Sequence, residues 1–453
     1  MPNAAALPSG PGRPRIWQLS RYALDPIGYV EECAASFGPL FTLDMPIFGT
    51  FVAVVAPDDV DAVLARVPDR FPGEADTSPL TPLMGEHAMM FATGAAHRAQ
   101  RRALLPAFRA GLADRWREQI ATLAEHELAR LPSGTPVATL PAMRRLTLEV
   151  VCRLVFGATG EPHATRLREE LAPGYDARLV PMLLWPTLWR RDGRLNPSRQ
   201  LKRRRDAANR LILDLIARRR AEAGRNGRVD ALSLLLAARD EHGRPLSDAH
   251  VRDQLIGLVL LGHEPSATGL AWMLERLSRA PAAAARLVAA LAAGHAELLD
   301  AAVRETLRLR PALLDAPRTT AEEIELSGRR IPSGTLLTPM LAVVHRRADV
   351  WEQPLAFVPE RFLAEDLPSH AYAPFGGGAR RCIAASLVTL LMRVVLETTL
   401  RHVTLVPAPG PEETPQLAGI SLVPSRGARV VVLRRHSVRS SSTSGGRVVS
   451  QLG

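Results

Sequence analysis

The run Phe375-Gly376-Gly377-Gly378-Ala379-Arg380-Arg381-Cys382 constrains this chain more than any other part of it. It sets one cysteine at the end of a glycine-rich loop, after two arginines and before an apolar run of helical pattern, Ile383 to Leu400. Glycine lets the backbone turn tightly and approach a flat ligand closely. A helix N-terminus and neighbouring cations favour thiolate over thiol, and a thiolate is a metal ligand or a nucleophile. A lone cysteine is most often an inert, buried residue. The spacing Phe-x-x-Gly-x-Arg-x-Cys sets Cys382 apart from Cys33 and Cys152, which have no such surroundings.

The 453 residues leave room for about three domains on a prior of about 150 residues each. No linker divides them, so one catalytic domain over residues 1–433 is expected. The Ser/Gly/Arg-rich tail, 434–453, reads as disordered. Three cysteines without CxxC spacing argue against a zinc site, a redox motif or a secreted disulfide framework. The first residues, Met1 to Ile16, contain no apolar core of a signal peptide. No run of about 18 apolar residues predicts a transmembrane anchor. The expected location is cytoplasmic. The formal charge of +11 includes four arginines of the tail and the clusters Lys202–Arg205 and Arg218–Arg220. No nucleic-acid motif accompanies that charge, so solvated helix faces and an acidic protein partner explain it better than nucleic acid does.

Apolar periodicity predicts helices over 97–126 with a break near Pro106, and over 143–156, 200–220 and 251–279. Asp58 or Asp59 is placed to cap a helix through Leu64. Pro181 to Trp189 reads as a loop or short helices. Phe41 to Val55 reads as a hairpin turning at Pro46 to Gly49. Ile324 to Thr338 gives short strands, and Ile420 to Leu433 a further strand pair. The expected class is mainly α with small β-sheets.

The cysteine loop resembles the haem-binding loop of the cytochromes P450, the haem-thiolate monooxygenases. Further strings match that family in order from about Phe37 to Leu433. Glu305-Thr306-Leu307-Arg308 resembles its Glu-x-x-Arg motif, two residues at i and i+3 on one helix face. Pro359-Glu360-Arg361-Phe362 resembles its second arginine segment. The resemblance implies a buried ion network of Glu305, Arg308 and Arg361 behind the cysteine loop. It implies haem b between a long oxygen-binding helix and the helix after the cysteine loop, with Cys382 as the metal ligand. Phe375, Gly378 and Ala384 line the loop, Ala384 standing where the family usually has glycine. His97 and Arg101 at i and i+4, Arg318, and Arg380 match the positions that hold the haem propionates. His345-Arg346 also matches a family pattern, with no specific role assigned.

Gly262-His263-Glu264-Pro265-Ser266 resembles the oxygen-binding segment, (Ala/Gly)-Gly-x-(Asp/Glu)-Thr-(Thr/Ser). Glu264, Pro265 and Ser266 are the candidate catalytic residues. Pro265 replaces the usual threonine and Leu261 a small residue. Proline removes a helix hydrogen bond, so local opening of the helix is expected there, with water in the kink and Glu264 as proton relay. The family implies O2 as co-substrate, a hydrophobic small molecule (terpenoid, fatty acyl, steroid or polyketide) and a ferredoxin or flavodoxin with its NAD(P)H reductase. Residues around Leu80 to Met90, Leu261, Pro265, Leu313, Leu314 and the turn near Ile420 are the expected substrate lining. A peroxide-driven enzyme and a non-catalytic haem-binding protein are the alternatives.

Overall fold

The computed structural model describes residues 7–46, 48–65, 80–108, 113–157, 162–171, 198–222, 230–240 and 242–435. The segment Pro181 to Trp189 and nearly all of the expected tail lie outside these residues. The helices are α1 (Arg15–Leu24), α2 (Pro26–Phe37), α3 (Pro57–Ala65), α4 (Thr81–Met84), α5 (Gly94–Leu104), α6 (Ala113–Ala129), α7 (Leu140–Phe156) and α8 (Pro162–Leu171). They continue as α9 (Ser198–Ala221), α10 (Ala231–Ala237), α11 (Asp248–Arg279), α12 (Pro281–Ala293), α13 (Ala296–Leu309), α14 (Leu341–Val344) and α15 (Ala385–His402).

Four small sheets accompany them among the described residues. The hairpin β1 (Leu40–Met45) and β2 (Gly49–Val54) continues through β7 (Leu336–Pro339) to β4 (Arg318–Thr319). Strands β3 (Pro136–Ala138), β11 (Arg429–Arg434) and β8 (Val403–Pro407) form a second sheet. Two hairpins complete the set: β5 (Ile324–Leu326) with β6 (Arg329–Ile331), and β9 (Pro415–Ala418) with β10 (Ser421–Pro424). The expected strand pair over 420–433 is therefore corrected. Both strands exist, but β10 turns back onto β9 while Gly427, at φ +78°, redirects the chain so that β11 joins β8 and β3. Arg434 still belongs to β11 and donates to the carbonyls of Leu128, Ala129 and Leu131.

Helix α11 organises the molecule. Ser247 caps it by accepting the His250 N–H at 3.2 Å, Asp248 lies in its first turn, and Arg276 and Arg279 lie in its last. Those charges complement the helix dipole. Its N-terminal half, through Val259, packs in a core with Leu104 of α5, Val155 of α7, Ile212 of α9 and Leu232 of α10. Its C-terminal half, from Ala267, packs in another with Ile120 of α6, Met143 of α7, Val303 of α13 and Met392 of α15. Pro265 falls between the two cores. Helix α11 is continuous through Pro265. Proline has no N–H, so the Leu261 carbonyl receives no amide from position 265, and both halves of the helix are packed in the cores on either side.

Candidate functional site

Between its two buried halves α11 leaves a half-buried stripe: Leu258, Leu261, Gly262 and Pro265, at i, i+3, i+4 and i+7. One face of one helix is thus only half-covered in mid-course, and it is wholly apolar. Cys382, just before α15, is also exposed. The residues that follow it, Ile383, Ala384 and Leu387, pack on the same core as Leu258 and Leu260.

The cysteine loop is shaped by its own backbone. The Cys382 N–H donates to the Phe375 carbonyl at 2.9 Å, closing the loop, and Phe375 packs on the core shared by α13 and α15. Gly376 and Gly378 have φ of +64° and +59°, a region that favours glycine. A side chain at Gly378 would also strike the Leu64 carbonyl at the end of α3, and one at Gly377 would meet Leu64 Cβ at 2.8 Å. These glycines bring the loop against α3. Ala384 has φ −92° and ψ 8°, so the missing glycine is not needed there.

The expected thiolate bias is corrected. Although Cys382 is an exposed residue, the protein packed around the sulfur raises its thiol above the ordinary value, burial outweighing the Ala384 N–H and the charges of Arg101 and Arg381. A metal ion at the sulfur reverses that balance, because coordination deprotonates a thiol outright.

Four cationic or potentially cationic groups gather beside the loop without a carboxylate among them. Burial and Arg380 push buried Arg318 down to about 10. His97 is pushed down to about 4 by burial, then by Arg380, Arg101, Arg318 and Arg98. Arg380 spends two nitrogens on the carbonyls of Met90 and Ala92, at 3.1 and 2.6 Å, and its buried Nε has no partner. His97 Nδ1 is likewise buried and unpartnered. Arg101 also lies close enough to Cys382 and Arg381 to be affected by both. Cations packed together with orphaned donors call for an anionic partner, and the two propionates of a haem meet that need. A flat ligand between Cys382 and the apolar stripe of α11 fits the same surroundings.

Behind the loop Glu305 and Arg308 are fully buried and joined by two hydrogen bonds of 2.7 and 2.9 Å. Arg361 and the Val358 N–H donate to the same carboxylate at 3.1 and 2.9 Å. Arg308 donates further to the carbonyls of His345, Pro354 and Ala356. The structure thus brings Glu305, Arg308 and Arg361 together as one network. It also gives His345 the role that sequence reading left open. Its Nε2 accepts the Ala373 N–H at 3.0 Å, two residues before Phe375, so it ties the ion network to the cysteine loop.

In the segment Gly262 to Ser266 each polar side chain is engaged. Both oxygens of Glu264 accept from Arg144 of α7, at 2.5 to 3.2 Å. His263 Nδ1 bonds Thr147 at 2.8 Å. The Ser266 hydroxyl donates to the Gly262 carbonyl at 2.7 Å. Arg144 was not anticipated, because its partner lies on another helix far away in sequence. Of the expected lining, Leu80, Met90 and Leu261 pack together with Leu83 and Leu260 around Met84, Ala88 and Phe91. Leu314 is a correction: it is buried among Tyr22, Phe41 and Met340 and faces no cleft.

Burial holds His263 and His345 neutral, down to about 3 in each case. In the unfolded chain they titrate near 6.5. Below that pH the unfolded state binds protons that the fold refuses, so stability is complete above about pH 6.5 and falls as pH drops toward 3. Each histidine should cost about 2 kcal/mol between pH 7 and pH 5. Urea midpoints at the two pH values test this; equal midpoints would show that the imidazoles are not held neutral.

The family model for cytochrome P450 matches residues 8–431. Cytochrome P450 135B1 of Mycobacterium tuberculosis is 34% identical over 449 residues, which cover 97% of this chain and 94% of that protein. Cytochrome P450 135A1 of the same species is 30% identical over 435 residues, covering 95% and 96%. Among solved structures, retinoic acid bound cyanobacterial CYP120A1 is similar with a TM-score of 0.80, at 22% identity, over 95% of this chain and all (100%) of that one. The haem domain of cytochrome P450DA is similar with a TM-score of 0.79, over 95% and 98%.

Proposed function

Because the chain belongs to the cytochrome P450 family, the haem-thiolate monooxygenases that bind haem b, we propose that its substrate is a neutral, hydrophobic small molecule and that a ferredoxin or flavodoxin supplies the electrons. The observation that carries the substrate reading is the apolar stripe of α11, whose Leu261 packs with Leu80, Leu83 and Met90. No helix among the described residues is long and apolar enough to cross a membrane.

Cys382 is the ligand that would hold the haem iron, and Arg318, Arg380, His97 and Arg101 would hold its propionates. Bound there, the haem supplies oxygen activation, its thiolate ligand favouring O–O cleavage. The protein's part is binding, orientation and protons. The loop fixed by Phe375 and by His345 through Ala373 presents the sulfur in one geometry. Leu261 and Pro265 exclude water from the substrate face. Pro265 has neither hydroxyl nor N–H to donate, and the Ser266 hydroxyl is committed to Gly262. Proton entry is therefore assigned to Glu264, whose partner Arg144 is partly exposed and connects it to solvent. For Glu264 to hand on a proton, the Arg144 pair must open.

The test is a ferric Soret titration against a library of neutral and charged hydrophobes, followed by turnover of the hits under labelled O2. Neutral compounds should shift the band and gain one labelled oxygen atom only when an acidic ferredoxin or flavodoxin and its reductase are present. Reduction should slow with salt, since exposed charges are screened within about 8 Å at physiological ionic strength. Product formed equally well from peroxide alone would establish the peroxide-driven reading instead, and selective binding of charged compounds would overturn the substrate class.

A further inference from the structure

The wall of the substrate cleft is fastened to α11 by residues outside the oxygen-binding segment. His250, Asp253, Gln254, Gly257 and Leu261 form one stripe, at i, i+3, i+4, i+7 and i+11, continuous with the stripe at Pro265. The segment 84–92 lies along it. The His87 N–H donates to Asp253 at 3.2 Å. Gln254 fits the same segment at both ends of its amide: its Nε2 donates to the His87 carbonyl at 2.5 Å, and its Oε1 accepts the Met89 N–H at 3.1 Å. The His87 and His250 rings stack at 5.0 Å and 12°, with Gln100 bonded to His250 at 3.1 Å.

Two glycines make this contact sterically available. A side chain at Gly85, at φ +84°, would run into the Asp253 carboxylate. One at Gly257 would press on Met84 Cε and Ala88 Cβ at 3.2 and 3.3 Å. The far end of the segment is held from the cysteine loop, where Arg380 binds the carbonyls of Met90 and Ala92. The wall therefore has two anchors, one on each side of the cleft.

We propose that Asp253 and Gln254 are positioning residues that hold segment 84–92 closed over the cleft and so set the rate at which ligands enter and leave. They touch neither substrate nor haem; they act through the loop. Backbone hydrogen bonds made to side chains open locally without global unfolding, which suits a gate. The Gln254 amide is matched to one acceptor and one donor, so glutamate at that position keeps one bond and leucine keeps none.

This inference rests on reading the cleft as the substrate site, and two readouts separate the claims. The haem-loaded enzyme and its Gln254→Leu, Gln254→Glu and Gly85→Ala variants are compared by amide hydrogen exchange and by stopped-flow binding of 4-phenylimidazole, followed at the Soret band. In Gln254→Leu, exchange within 84–92 should rise by about tenfold or more, with Gln254→Glu intermediate. Association and dissociation of 4-phenylimidazole should accelerate together, leaving affinity nearly constant. Gly85→Ala should reproduce the loosening if Gln254→Leu does not fold. Unchanged exchange in 84–92 would overturn the latch. Faster exchange with unchanged ligand rates would overturn the gate, and with it the placement of this segment on the ligand path.

Discussion

Cys382→Ser should abolish the red-shifted Soret band of the reduced carbon monoxide complex. Cys33→Ser and Cys152→Ser should retain it. The three cysteines differ in surroundings rather than in chemistry. Cys33 and Cys152 are buried, and burial raises the Cys152 thiol to about 12, which makes it inert. Cys382 is the exposed one, at the end of a loop fixed by the Phe375 carbonyl and the Ala384 N–H. Serine preserves that geometry but supplies no thiolate. The loss should be complete, whereas the other two substitutions should change only stability. A thiolate spectrum in Cys382→Ser would remove the foundation of the site.

Glu305→Ala and Arg308→Ala should each yield protein without haem rather than haem protein of lower turnover. Removing one member leaves the other charge buried, at a cost of about 3–5 kcal/mol. That is a large part of the 5–15 kcal/mol or so by which a typical domain is stable. The damage should be worse for Arg308, because the carbonyls of His345, Pro354 and Ala356 lose their donor as well. Arg308→Lys should rescue poorly, since lysine cannot bond Glu305 bidentately and reach those carbonyls at once. Arg361→Ala should be milder, because Arg361 is less deeply buried and gives Glu305 a single bond of 3.1 Å. The haem-to-protein ratio of purified, soluble variants measures this. A soluble Glu305→Ala protein with full haem content would show that the network is peripheral to the loop.

The sequence alone determined the family, the helical class and the local parts of the site. Phe375 to Cys382 is contiguous, and Glu305 with Arg308 is an i, i+3 pair, so both geometries follow from short stretches of backbone. The cluster of His97, Arg101, Arg318 and Arg380 was legible only through resemblance, because its members come from three distant segments. Tertiary structure alone decided the partners that lie far apart in the chain. Glu264 reads as a free acid in a motif until α7 packs on α11 and sets Arg144 against it, across 120 positions. Asp253 and Gln254 read as ordinary residues of a helix's polar face until the segment at His87 lies on them, across 166 and 167 positions. The state of Cys382 is of the same kind. Its neighbours in sequence favour thiolate, and the surrounding fold raises the thiol nonetheless, because burial is contributed by several segments at once and is not written in any one of them.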